Sequence, residues 1–172
     1  MTTKEPIESW RKVWRDGFVP ILSTAALTAL REALLSDDPR LVQGATTVPP
    51  PMQCVQDWPA EGACLVAFGG WQGEHLETVG EVEEFFARCC FEADQRIGEP
   101  AACRHLLNFF DDRPRPEAIR ELLAEVDRVL MDRAGFDPDD ARAELDAERG
   151  YEQILEDERN GIVAQVSPDC PF

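Results

Sequence analysis

The sequence lacks the short motifs that mark many cofactor-dependent enzymes. It contains no Cys-x-x-Cys pair, no glycine-rich loop ending in Lys-Ser/Thr, no dinucleotide-binding glycine fingerprint and no His-Glu-x-x-His segment. Neither histidine follows a glutamate by three residues, so the Glu-x-x-His units of a di-metal helical bundle are missing too. These absences argue against phosphate-loop, dinucleotide and zinc-peptidase chemistry, and we expect no cofactor.

Long hydrophobic runs and a dense cysteine framework are missing as well. No long apolar run follows the basic residues of the N-terminal segment, so neither a secretory signal nor a membrane span is expected. Six cysteines among 172 residues are too few and too irregularly spaced for a secreted disulfide scaffold. We therefore expect reduced thiols, a cytoplasmic location and no membrane partner.

Acidic residues are in excess, and the formal net charge is −17. The acidic excess is 1 over residues 1–58, 6 over 59–115 and 10 over 116–172, so negative potential grows toward the C-terminus. Such a surface repels nucleic acid and anionic lipid and attracts cations. We expect a protein partner with a basic surface and no direct nucleic-acid binding.

The first third of the chain predicts two helices. Apolar residues recur every three or four positions from Ile7 to Ile21, on a helix interrupted near Gly17, and its tryptophans, Trp10 and Trp14, should be core anchors. Ser23 is a predicted N-cap for the second helix. That helix should bury Leu27, Leu30 and Leu34 and stop at the sequence SDDP.

Residues 49–74 are rich in proline, tryptophan and glycine. The three prolines from Pro49 hold the chain extended, because proline fixes φ and lacks an amide donor. Asp57 then predicts the cap of a short buried helix with Pro59 in its first turn and a stop at the Gly69-Gly70 pair. A strand is the competing interpretation of residues 63–68, since periodicity does not separate a short buried strand from a short buried helix.

Three more helices are predicted after this stretch. Thr78 and Glu81 have the spacing of a capping box, and the helix that begins there should end at Gly98. Pro100 opens the next helix, and the last of the three should stop at Gly135. The predicted buried positions are Val82, Phe86, Cys89, Ala93, Ile97, Cys103, Leu106, Leu107, Phe110, Ile119, Leu122, Leu123, Val126 and Leu130.

Together these segments predict an all-α fold, a compact bundle of five or six helices with a Pro/Trp-rich loop region. A chain of 172 residues with 44% hydrophobic content suits one compact domain, which we place at residues 1–135. Residues 136–172 have helix-forming composition but few apolar anchors. They predict an acidic C-terminal helix and tail.

A thiol-dependent or metal site is one alternative function. Cys54, Cys64 and His75 lie in the loop region, where thiolate and imidazole could bind zinc or form a Cys–His nucleophilic pair oriented by Asp57. The spacing provides no recognisable ligand pair, and buried cysteine usually behaves as a small apolar residue. We therefore expect these thiols to pack in the core, with no metal bound.

Mimicry of nucleic acid is a further alternative, because an acidic helical surface can imitate the phosphate spacing of a duplex. Such a mimic needs a face free of cations. In the last third of the chain, arginines alternate with acids at four-residue spacing, as in Arg128–Asp132 and Arg142–Asp146. That pattern is typical of an ordinary ion-paired, solvated helix surface.

Several segments across residues 8–134 carry a resemblance to other sequences. They resemble a group of small uncharacterised bacterial proteins. The resemblance implies no activity, ligand or partner, so no residue role follows from it. The segments are ESWRKVWRDGF, DDPRLVQGATTVPPPMQCVQDWP, GWQGE, TVGEVEEFFARCCFEADQRIGEPAACRHLLNFFDD and ELLAEVDRVL.

The leading hypothesis is a non-enzymatic, acidic helical protein that acts through its acidic surface on a protein partner, with the C-terminal helix as the docking element. We expect the segment over 49–74 to cover the core, with Trp58 and Trp71 supplying large apolar contacts. Binding sites concentrate on loops held by a rigid scaffold, so a ligand or partner site should lie here. Its candidate residues are Cys54, Asp57, Trp58, Trp71 and His75.

Overall fold

The structure, a computed structural model, describes residues 7–135, and the residues up to Leu130 form one compact unit. Helices dominate, as predicted, and a small antiparallel sheet is added, which was not predicted. The predicted acidic helix and tail over 136–172 lie outside the described residues. Among those described, no helix has the length and apolar character needed to cross a membrane. The elements are α1 (Ser9–Lys12), α2 (Thr24–Ser36), β1 (Thr47–Val48), β2 (Gly62–Ala63), α3 (Leu65–Phe68), α4 (Val79–Ile97), α5 (Cys103–Asp112) and α6 (Arg115–Arg133).

The first helix widens as it enters the core. α1 continues without a break into a π-helical turn over Val13–Phe18. Trp10 and Trp14 are buried, so the prediction that both are core anchors is confirmed. A Cβ atom at Gly17 would lie 3.3 Å from side-chain atoms of α4, so glycine lets the two helices approach closely.

Three predicted helix ends are confirmed by their hydrogen bonds or backbone angles. The Ser23 hydroxyl accepts the amide of Ala26 at 3.0 Å and caps α2. The Thr78 hydroxyl accepts a hydrogen bond from the Glu81 amide at 3.2 Å and so caps α4. The second bond differs from a full capping box, because the Glu81 carboxylate accepts from the Thr78 hydroxyl and not from the Thr78 amide. Gly98 ends α4 with φ of 80°.

The prediction of a helix capped by Asp57 is wrong. Pro59 pairs with Thr78 as an isolated β-bridge, and β2 pairs antiparallel with β1, so the chain is extended up to residue 63. The helix begins only after Cys64. Both interpretations of residues 63–68 are thus partly right, since residue 63 belongs to a strand and α3 follows it.

The predicted stop at the Gly69-Gly70 pair is also wrong, because α3 runs directly into a second π-helical turn, Gly69–Gly73. The glycines serve packing at this position. A Cβ at Gly70 would lie 2.4 Å from the Phe85 ring, and one at Gly73 would lie 2.5 Å from the Ala26 Cα atom. The turn therefore fits between α2 and α4 because it has no side chains at these positions.

A buried carboxylate joins the N-terminal helix to α6. Glu125 is 3% exposed and accepts hydrogen bonds from Arg11 Nη1 at 2.9 Å and Arg15 Nη2 at 2.6 Å. Beside it, the rings of Trp10 and Phe109 stack with centroids 3.7 Å apart. These contacts link residues more than 90 positions apart in the chain, so they fix the N-terminal helix on the body.

Candidate functional site

The structure brings together three of the five predicted site residues. Cys54, Asp57 and Trp58 are all exposed on the segment 49–61, which we name the Trp58 loop. His75 is exposed and follows the second π-helical turn, with φ of 59°. Trp71 lies apart from them in the core.

The two tryptophans of the predicted core cover differ in burial. Trp71 is 9% exposed and packs edge-on against Phe68, so its predicted core contact is confirmed. Trp58 is 55% exposed, so its predicted core contact is wrong. In this loop the side chains that face the core are those of Val55 and Ala60. Val55 ends a short 3₁₀ turn over Gln53–Val55, and the chain after it leaves Trp58 on the outside.

The backbone of the Trp58 loop is fixed by the start of α4. The amide of Val79 donates to the Trp58 carbonyl at 2.9 Å, and the amide of Gly80 donates to the Gln56 carbonyl at 2.9 Å. First-turn amides of a helix have no acceptor within the helix, so the loop carbonyls satisfy them. A Cβ at Gly80 would lie 3.1 Å from the Gln56 carbonyl oxygen, closer than most real Cβ contacts, so glycine eases this close approach of loop and helix. The loop caps α4, and α4 in turn holds the loop.

The chain around this loop carries negative charge only. Residues 41–87 contain no lysine or arginine and seven acidic residues. Four of these acids lie on the loop or on the segment bonded to it, and all four are exposed. Within residues 7–135 none of the four carboxylates forms an ion pair. The four are Asp57, Glu61, Glu77 and Glu81.

The two cysteines of this region differ in burial. Cys54 is exposed, so its predicted packing in the core is wrong. Cys64 is 5% exposed, as predicted, and its burial raises the pKa of its thiol to about 12. A thiol with so high a pKa is a poor nucleophile at neutral pH. In the described part of the chain, no group of three or more His, Cys, Asp or Glu side chains could hold a metal ion.

A separate shallow cleft of about 240 Å³ lies between α2 and the second π-helical turn. Its charged residues include Asp38 and Arg40, which bond to each other at 2.7 Å, and that hydrogen bond lowers the pKa of Asp38. Phe68, one of its lining residues, is 2% exposed and offers almost no apolar surface to a ligand. Ligand pockets usually measure about 300–1,000 Å³ and are mainly apolar, so this cleft is the weaker candidate.

Comparisons with known proteins find no matching family model, curated protein or solved structure. The candidate site is therefore defined by exposure, hydrogen bonding and charge. Sequence reasoning singled out Trp58 but assigned its ring to the core. It overlooked the missing cations over residues 41–87, although that signal can be read directly from the sequence.

Proposed function

We propose that this chain is a non-enzymatic binding protein that engages a protein partner with a basic surface through the Trp58 loop. The observation that carries the proposal is the exposure of two large apolar side chains on one loop, 55% for Trp58 and 60% for Met52. Large exposed apolar side chains surrounded by polar residues are a common feature of protein interaction sites.

The energetics favour Trp58 as the centre of the interface. Tryptophan is among the residues that most often dominate binding energy, and removal of such a side chain costs about 2 kcal/mol or more. The loop backbone is already held by the amides of Val79 and Gly80, so little conformational entropy is lost when a partner binds. Preorganisation of this kind increases affinity without adding contacts.

The charge around the loop determines the kind of partner. Asp57, Glu61 and Glu77 have no basic residue within ion-pair distance among residues 7–135, so their charges are available to a partner. A partner arginine could stack on the exposed indole of Trp58 and bond to a neighbouring carboxylate. We therefore expect a basic, arginine-bearing surface, and binding that weakens as salt is added.

A nucleic-acid-binding protein is one class of partner that fits this surface. Mimicry needs an acidic face without cations, and residues 41–87 meet that condition in sequence, unlike the last third of the chain. If the partner belongs to this class, a DNA or RNA duplex should compete with the chain for it. If the partner has no nucleic-acid site, mimicry is excluded while the binding function stands.

Site-specific photo-crosslinking in the cell that makes the protein tests the proposal. A benzophenone amino acid replaces Trp58 in one variant and Phe91, which is 62% exposed on α4, in the matched control. We expect a discrete crosslinked protein from position 58 and none from position 91. The product should disappear when Asp57, Glu61 and Glu77 are changed to lysine.

Three results would contradict the proposal: no product at position 58, the same product at both positions, or a product that survives the charge reversal. Far-UV circular dichroism of the lysine variant serves as the folding control. Because all three acids are exposed, the reversal should leave the helical signal unchanged.

A further inference from the structure

Two thiols from different helices meet outside the Trp58 loop. Cys90 is half-buried on α4, and Cys103 is the first residue of α5 and 9% exposed. Burial, followed by the Cys103 sulfur beside it, raises the pKa of the Cys90 thiol, and burial and a hydrogen bond with the Asp94 carboxylate raise that of the Cys103 thiol. The two thiols are therefore neighbours across the α4–α5 packing.

The backbone holds this pair in place. The amide of Cys103 donates to Asp94 Oδ1 at 2.7 Å, and Asp94 lies one turn after Cys90 on the same face of α4. Positive φ angles at Gly98 and Ala101 turn the chain back so that α5 begins against that face. Backbone contacts therefore hold the start of α5 against this part of α4.

We propose that Cys90 and Cys103 form a reversible intramolecular disulfide when the protein meets hydrogen peroxide. Cys103 reacts first, because burial and Asp94 raise its thiol pKa less than burial raises that of Cys90, and the hydrogen bond with Cys90 offsets part of the rise. Its sulfur attacks one peroxide oxygen, so that an S–O bond forms, the O–O bond breaks, and a sulfenic acid and one water result. The Cys90 sulfur then attacks the Cys103 sulfur, the S–S bond forms, and the S–O bond breaks as hydroxide leaves with the Cys90 proton as a second water. Two thiols and one peroxide thus yield one disulfide and two waters.

The protein environment makes this oxidation slow at neutral pH. Burial raises the pKa of the Cys90 thiol and, to a lesser degree, that of Cys103. Only the thiolate attacks peroxide, so the rate should rise about tenfold for each pH unit while the pH stays below the pKa. The pair is therefore expected to respond to sustained oxidation and not to a brief pulse.

Peptide mapping of the full chain tests the proposal. The reduced protein is treated with hydrogen peroxide at pH 8, free thiols are blocked with N-ethylmaleimide, and the chain is digested with trypsin. Cleavage after Arg88, Arg96 and Arg104 places the two cysteines on separate peptides, 89–96 and 97–104. We expect these peptides to be linked, with a loss of about 2 Da for the two hydrogens removed. Dithiothreitol should separate them.

Peptide 89–96 also contains Cys89, so matched variants are needed. Cys89 is 4% exposed and lies on the core face of α4, about 100° around the helix from Cys90. Cys89→Ser should keep the linked peptide, whereas Cys90→Ser should abolish it. The proposal is overturned if Cys90 and Cys103 both carry maleimide after the peroxide treatment, or if peptides 89–96 and 97–104 are still linked in the Cys90→Ser variant.

Discussion

Replacement of Glu125 by glutamine should destabilise the fold more than any replacement of an exposed acid. The Glu125 carboxylate is 3% exposed and accepts hydrogen bonds from Arg11 and from two nitrogens of Arg15. The variant keeps the side-chain volume but removes the charge, so two guanidinium groups lose their common partner. Breaking a buried ion pair in this way costs about 3–5 kcal/mol in fully buried examples.

The two arginines retain some contact with water, since their side chains are 24% and 30% exposed. That contact reduces the penalty, and we expect a loss of about 2–3 kcal/mol in the free energy of unfolding. With a urea m-value of about 2 kcal/mol/M, the unfolding midpoint should fall by about 1–1.5 M.

The pH dependence of stability gives a second readout. Burial on its own would raise the pKa of Glu125, but the hydrogen bonds and charges of Arg15 and Arg11 together lower it below its ordinary value of 4.5. Since the folded pKa is the lower one, ionised Glu125 stabilises the fold above about pH 4.5. That contribution is lost as the pH falls through the folded value. The glutamine variant should therefore lose less stability between pH 5 and 3 than the wild type does.

Urea unfolding followed by circular dichroism measures both effects. Glu117→Gln is the matched control, because the Glu117 carboxylate lies 3.5 Å from Arg113 and the Glu117 side chain is 43% exposed. Such a surface pair should contribute about 0.5 kcal/mol or less. Equal midpoints for the two variants, or an unchanged pH profile for Glu125→Gln, would refute the role assigned to the buried carboxylate.

Three further expectations concern the core and its glycines. Trp71→Ala should lower the free energy of unfolding by about 3–5 kcal/mol in thermal or urea melts, whereas Trp58→Ala should lower it by less than about 1 kcal/mol. Similar losses of stability in the two variants would mean that Trp58 also packs in the core. Gly70→Ala should lower the free energy of unfolding by about 1–3 kcal/mol, because the added methyl group would lie only 2.4 Å from the Phe85 ring. An unchanged melting temperature would refute this close packing. In maleimide labelling at pH 7, Cys64, with its pKa near 12, should react far more slowly than exposed Cys54, and equal rates would show that the site opens to solvent.

Features that depend on local chemistry could be predicted from the sequence. Ser23 and Thr78 cap their helices because the hydroxyl and the amide three residues on are neighbours in the chain. Trp10 and Trp14 follow from helical spacing, because one face of an amphipathic helix must be buried.

Features that depend on distant partners could not be predicted in this way. The glycine pair beginning at Gly69 has the composition of a helix stop, yet the helix continues because α2 and α4 come close enough to exclude side chains. Trp58 has the hydrophobicity of a core residue, yet its loop is held by backbone hydrogen bonds to Val79 and Gly80. The pattern of apolar residues in the local sequence does not predict which of Trp58 and Trp71 is buried.

The affinity of the protein captured at position 58 is the most direct measurement of the proposed function. Titration calorimetry of the full chain with that purified partner should give binding that Trp58→Ala weakens by about thirtyfold or more, the equivalent of about 2 kcal/mol at an interface hot spot. Phe91→Ala should change the affinity by less than about threefold, and added salt should weaken the wild-type complex. Equal affinities for wild type and Trp58→Ala, or binding insensitive to salt, would show that the Trp58 loop is not the binding surface.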